Sequence, residues 1–248
     1  MQPMRFHSHH GKNVHIADDG LIATRTCSFA HGICFGNRPL NQGEIFLVEI
    51  MNNERGWSGN LRIGLTQHNP DSLFELPQYA LPDLVTLLGK SWVMAITKTQ
   101  RYLFRDSEDH GLDTPIVDQE DDTRPERLLG HGDWIRTRCG TVRRDQLLPQ
   151  SKRSPELFHE SPALNRNNQS NISERLNAES ASSHPSSPIL PTEVGSRIGM
   201  IFTSNGKKGE LYIILNGDEY GPMAADIPLS DGPLWPVIDV YGTTKQVQ

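Results

Sequence analysis

The stretch Glu44 to Leu65 restricts the possible folds more than any other part of the chain. Two apolar runs flank a polar segment that contains glycines. Ile45 to Ile50 is rich in β-branched and aromatic residues and is broken only by Glu49. In the second run Leu61, Ile63 and Leu65 fall on one side, and Arg62, Gly64 and Thr66 on the other. Period two marks a half-buried strand, because successive side chains leave opposite faces of a sheet. Between the runs, Met51 to Asn60 holds Gly56 and Gly59 around Trp57. Glycine admits backbone angles that other residues resist, and a loop tryptophan offers a large flat contact surface. The stretch therefore reads as a β-hairpin with a long, shaped loop, around which other strands pack.

Further strands are expected on both sides. Phe6 to Ala17 looks extended, and Asp18-Asp19-Gly20 before Leu21 to Thr26 is a hairpin signal. Ser28 to Phe35 and Ser91 to Thr97 read as strands, the latter with Trp92, Met94 and Ile96 on one face. Leu73 to Leu88 is apolar, but Pro77 and Pro82 argue against a long helix. Arg197 to Phe202 and Leu211 to Leu215 alternate, and Asn216-Gly217 marks a turn. Pro233 to Tyr241 supplies a last strand, with Val237, Asp239 and Tyr241 on one face. Strands at such spacing predict an all-β chain, an antiparallel sandwich.

The middle of the chain has a different texture. Asp106 to Glu126 is dominated by acidic residues, and Ser151 to Pro191 by Ser, Asn and Pro. Such composition buries too little apolar area to offset chain entropy. The reading is a single domain over residues 4–248, interrupted by an insertion at 105–193. That insertion is expected to be largely disordered apart from a strand near 134–142.

Composition narrows the function classes. A formal charge of −6 and a pI near 5.9 argue against a nucleic-acid binder. Cys27, Cys34 and Cys139 form no Cys-x-x-Cys pair, so a reducing, cytoplasmic location is expected. The N-terminal residues lack an apolar h-region, and no apolar run reaches membrane-spanning length, so neither a signal peptide nor a membrane span is expected, and a membrane is disfavoured as a partner. Gly56-Trp57-Ser58-Gly59 does not fit a nucleophile elbow, and no phosphate-cradling loop occurs. His7, His9, His10 and His15 cluster without cysteine or a carboxylate motif, so no metal site and no cofactor are expected. Thr114-Pro115, Ser154-Pro155, Ser161-Pro162 and Ser187-Pro188 place hydroxyls before proline, an opening for phosphorylation.

A set of motifs resembles a known family. Phe6-His7, His10-Gly11-x-Asn13-Val14, Ser28-Phe29, Gly32-Ile33-x-Phe35 and Pro39-Leu40 resemble the start of a neuralized homology repeat. Gly43-Glu44-x-Phe46-x-Val48-Glu49-Ile50 and Gly56-Trp57-x-Gly59-x-Leu61-Arg62-Ile63-Gly64-Leu65-Thr66 continue it, followed by Pro82-Asp83-Leu84 and Trp92-Val93. Arg197-Ile198-Gly199, Gly209-x-Leu211, Asn216-Gly217, Gly221-Pro222 and Asp239-Val240-Tyr241-Gly242 are similar to its end. The resemblance implies an SPRY-like or jelly-roll-like antiparallel β-sandwich that binds protein partners. It further implies a non-enzymatic substrate adaptor of a cullin-RING ubiquitin ligase. In the one-repeat member that this arrangement most resembles, a C-terminal SOCS box recruits elongin B and C. No such leucine-rich box follows Tyr241 here, so those partners are expected only for a form that carries one. The expected partner-binding residues are Asn53, Glu54, Arg55, Trp57 and Asn60, because Trp and Arg dominate interface hot spots and binding residues gather on loops. Trp57 has a second reading, as a packing lid over the end of the sandwich. Two other functions remain open: a scaffold without a ligase link, and an adaptor for anionic lipid that uses the basic stretch Arg136 to Arg144.

Overall fold

The computed structural model describes residues 4–98, 129–130, 132–150 and 189–248. Among them are thirteen strands: β1 (Val14–Ala17), β2 (Ile22–Arg25), β3 (Ile33–Phe35), β4 (Phe46–Asn53), β5 (Arg62–Thr66), β6 (Ser91–Ala95), β7 (Trp134–Thr137), β8 (Gly140–Arg143), β9 (Arg197–Asn205), β10 (Lys208–Leu215), β11 (Asp218–Pro228), β12 (Trp235–Asp239) and β13 (Thr244–Val247). All pairings are antiparallel. Seven strands form one sheet in the order β1-β2-β13-β4-β9-β10-β11, and four form a second in the order β3-β12-β5-β6. The β-sandwich expected from period two is the fold observed.

The main core lies between these sheets. From the larger come Val14, Ala23, Val48, Ile50, Met200 and Ile213; from the smaller come Cys34, Ile63, Leu65 and Ile238. Alternation decides which side chains enter. In β4, Phe46, Val48 and Ile50 are buried here while Leu47 packs on the opposite face. Both outer faces are also partly covered. Phe74, Leu76, Ala80 and Leu84 pack on Ile33, Phe35 and Val237 of the smaller sheet. Leu129, Ile135, Val142 and Leu147 pack on Ile201, Tyr212 and Ile214 of the larger.

Two expectations are corrected by the topology. The runs at Ile45–Ile50 and Leu61–Leu65 are strands, but they do not form a hairpin. β4 pairs with β9 and β13, and β5 with β6 and β12, so the two lie in opposite sheets. A tight turn fixes hairpin register; here Met51 to Asn53 continue β4, and the longer segment 54–61 crosses between layers without a tight turn. Residues 134–142 form not one strand but the hairpin β7–β8, with Trp134 opposite Arg143 and Ile135 opposite Val142. This hairpin is held to the larger sheet by the buried side chains named above. The remainder of the expected insertion, with its acidic run and its four Ser/Thr-Pro sites, lies outside the described residues apart from 129–130, 132–150 and 189–193.

Local signals fare better. The Asp18-Asp19-Gly20 turn joins β1 to β2, with Ala17 opposite Ile22. Asn216 and Gly217, at φ of 50° and 88°, join β10 to β11 as a two-residue turn. The proline-broken stretch holds a short helical segment, Ala80–Leu88. β13 was not expected: Val247 is its one apolar residue, yet it sits centrally, between β2 and β4.

Candidate functional site

The crossing segment between β4 and β5 is latched to the chain just before β13. The Glu54 N–H donates to the Thr243 carbonyl (2.7 Å), and the Thr243 N–H to the Gly59 carbonyl (2.9 Å). The Thr243 hydroxyl donates to the Trp57 carbonyl (3.1 Å), and the Thr244 hydroxyl accepts from the Leu61 N–H (3.0 Å). The close approach requires glycine. A Cβ on Gly242 would stand 2.4 Å from the Ser58 carbonyl oxygen, and one on Gly59 would stand 2.6 Å from the Tyr241 ring. Gly59 and Gly242 also have φ of 79° and 61°, where L side chains are strained.

The latch presents Trp57. Its indole N–H donates to Glu54 Oε2 (3.1 Å), and Glu54 in turn meets Lys245 Nζ (3.2 Å) and the fully buried Arg25 (3.4 Å). Hydrogen bonding from Lys245 leads the causes that lower the Glu54 carboxyl below its usual range. Trp57 is 40% exposed. One neighbour is Phe29, 5.1 Å away between ring centroids. Phe29 stacks with Tyr79 (6.2 Å) and meets Tyr241 edge-on (6.0 Å), and the two tyrosines meet at 5.9 Å. Four aromatic rings from four separate segments therefore converge at one end of the sandwich.

A buried polar group underlies them. The Arg62 guanidinium lies 3.5 Å from the Tyr241 ring centroid and donates to the Leu81 carbonyl. Its Nη1 is 3.5 Å from Asp239 Oδ2, which also accepts from the Ala80 N–H (2.9 Å). Burial pushes the Asp239 carboxyl up to about 6, against the pull of the Ala80 N–H and of Arg62 and Arg25. Arg62 thus ties β5, β12 and the 79–81 segment together and holds Tyr241 and Tyr79 in place.

The expected site residues divide. Trp57 and Arg55 are exposed on the loop, and Asn60 is half-buried beside them. Glu54 orients Trp57. Asn53 faces elsewhere: its amide donates to the Thr192 carbonyl (2.9 Å), pinning the segment before β9. The sequence reading missed Phe29, Tyr79, Tyr241 and Arg62 as members of one site. Each was visible as a residue, but their meeting depends on pairing of distant strands. Away from this end, His7 Nε2 lies 3.1 Å from Asp71 Oδ1, and His9 Nε2 lies 3.0 Å from the Phe74 carbonyl oxygen. Both rings brace the 69–74 loop. Among the described residues no group of three or more His, Cys, Asp or Glu side chains is placed to hold a metal ion.

Comparison with known proteins bears on both fold and function. The model of the Neuralized family matches residues 6–248. The chain is 36% identical to Neuralized-like protein 2 of Mus musculus over 247 residues, 99% of this chain and 76% of that protein. It is 41% identical to the E3 ubiquitin-protein ligase NEURL1B of Homo sapiens over 95 residues, 37% of this chain and 17% of that protein. The crystal structure of the Drosophila melanogaster neuralized NHR1 domain superposes with a TM-score of 0.57 at 21% identity, covering 100% of this chain and 98% of the other. One expectation is corrected here. The chain was read as non-enzymatic, whereas relatives carry the name of E3 ubiquitin-protein ligases, which are enzymes. That activity is named for proteins of which this chain matches a small share, 17% of NEURL1B, so motifs within this chain do not speak to it.

Proposed function

The chain belongs to the Neuralized family, and on that premise we propose that it recognises a protein target at the aromatic end of the sandwich and presents it for ubiquitination. The observation that carries this reading is the rigid aromatic surface of Phe29, Trp57, Tyr79 and Tyr241, with Arg55 exposed on the same loop as Trp57. Packed aromatic rings lose little conformational entropy when a partner docks, and arginine is among the residues that anchor interfaces. In this reading the target is held for ubiquitin transfer within a cullin-RING assembly, with elongin B and C entering where a SOCS box accompanies the repeat. The three free cysteines support a reducing, cytoplasmic setting.

The test uses Trp57→Ala. Its ring is partly exposed, so its removal should cost about 1 kcal/mol of stability, the scale of an aromatic pair. Affinity capture should lose the target, and ubiquitination of that target in cells should fall, while the melting temperature stays near wild type. Retained capture, or a collapsed melting temperature that assigns Trp57 to the core, contradicts the reading. Capture of a target without elongin B and C, by a form that carries a SOCS box, would favour a scaffold without a ligase link.

A further inference from the structure

The hairpin β7–β8 has an inner face that is anchored and an outer face that is not. Ile135 is fully buried, and with Val142, Leu129 and Leu147 it fixes the hairpin to β9 and β10. Arg144, at the end of β8, is buried: it meets Glu219 (3.0 Å) and donates to the carbonyls of Gly132 and Gly217 (3.1 Å each). The Arg138 N–H donates to the Gly43 carbonyl (2.7 Å), and Arg197 donates to the Gln146 carbonyl (2.8 Å). The element is therefore a fixed platform rather than a loose loop.

Strand alternation then dictates what points outward. Trp134, Arg136, Thr141 and Arg143 are all exposed, with Trp134 opposite Arg143 and Arg136 opposite Thr141. Arg138 extends the row into the turn. Trp134 is 46% exposed, and the Arg143 guanidinium lies 5.8 Å from its ring centroid. Arg143 shares its charge with Asp145 at 2.6 Å, both about half exposed. Arg136 and Arg138 have no ion pair among the described residues. A large exposed aromatic ring beside exposed guanidinium groups is thus held on an anchored element of a chain whose formal charge is −6.

We infer that the outer face of this hairpin docks an acidic, extended polypeptide segment that places an apolar side chain on Trp134 and carboxylates on Arg136, Arg138 and Arg143. Alternate residues along a strand stand about 7 Å apart, the same repeat as an extended peptide. Guanidinium groups take carboxylates in bidentate fashion, and Trp and Arg are the residues that anchor interfaces. A lipid surface fits less well. Polybasic membrane segments carry about 4–8 Lys or Arg, whereas this face has three arginines and one apolar ring. The surface is separate from the aromatic end and does not depend on the function proposed there.

The test is fluorescence anisotropy with a labelled Glu/Asp-rich peptide carrying one Phe, alongside a Ser-substituted neutral peptide and a Phe-less acidic peptide. Wild-type protein should bind the first most tightly, and binding should weaken as salt rises. The double variant Arg136→Glu/Arg138→Glu should lose about tenfold or more in affinity, which is about 1.4 kcal/mol. Trp134→Ala should erase the preference for the Phe-containing peptide. Far-UV circular dichroism and melting should not change, because these side chains face solvent. Equal affinity in wild type and the double variant overturns the inference. So does binding to phosphatidylserine vesicles without binding to the peptide, which would assign the face to a membrane. Loss of peptide binding in Trp57→Ala, with the hairpin variants unaffected, would also overturn it by moving the acidic segment to the other site.

Discussion

Asp239 holds a carboxyl group where water does not reach. Its neighbours Arg62 and Arg25 favour the ionised form, yet burial outweighs them and raises the group from 3.8 to about 6. A carboxyl that holds its proton more tightly in the folded state adds stability below its unfolded value, and that stability is lost as pH rises through the folded value. Asp239→Asn fixes the group in a neutral form that can still accept from the Ala80 N–H. We expect the urea midpoint of the wild type, relative to this variant, to fall as pH rises from about 3.8 to about 6 and then to level off. A difference independent of pH would show that Asp239 titrates alike in both states. The sequence reading put Val237, Asp239 and Tyr241 on one strand face, but β12 ends at Asp239 and Tyr241 lies in the segment after it. The burial of Asp239 beneath residues 79–81 could not be read from the sequence, because it rests on contacts between segments about 160 positions apart, as in the Ala80–Asp239 hydrogen bond.

At the scale of elements, the sequence was most legible where the signal was local. Asp-Gly and Asn-Gly turns need positive φ, which few residues supply cheaply, so the turns at Asp18–Gly20 and Asn216–Gly217 followed directly. It was least legible where topology decides. The runs at β4 and β5 were recognised as strands, but their assignment to opposite sheets depends on β9, β12 and β13, which lie far along the chain. The β7–β8 hairpin was read as a strand within a disordered insertion because its neighbours in sequence are polar. Its burial comes from Ile201, Tyr212 and Ile214 instead. Ile135→Ala should lower stability by about 2–5 kcal/mol, the range for truncating a buried isoleucine, with chemical denaturation as the measurement. An unchanged midpoint would mean that the hairpin is not packed on the sheet.

At the scale of the whole molecule, two sheets bury a shared core, and both outer faces receive partial cover from intervening segments. This leaves one end of the sandwich, where segments 27–32, 54–60, 78–81 and 240–243 meet, to carry the aromatic surface. Those segments differ in sequence and have no common spacing, so alternation predicted the scaffold but not the convergence upon it. Trp57 stands out in the sequence because a loop tryptophan is conspicuous by itself, and the structure leaves it 40% exposed. Phe29 and Tyr79 were not, because each has a plausible place in an ordinary strand or loop. The most direct test of the account is hydrogen–deuterium exchange on the chain alone and with a captured target bound. Protection should appear together in those four segments and leave the outer strand β11 unchanged. Protection confined to other surfaces, with 54–60 and 240–243 exchanging as in the free chain, would contradict it.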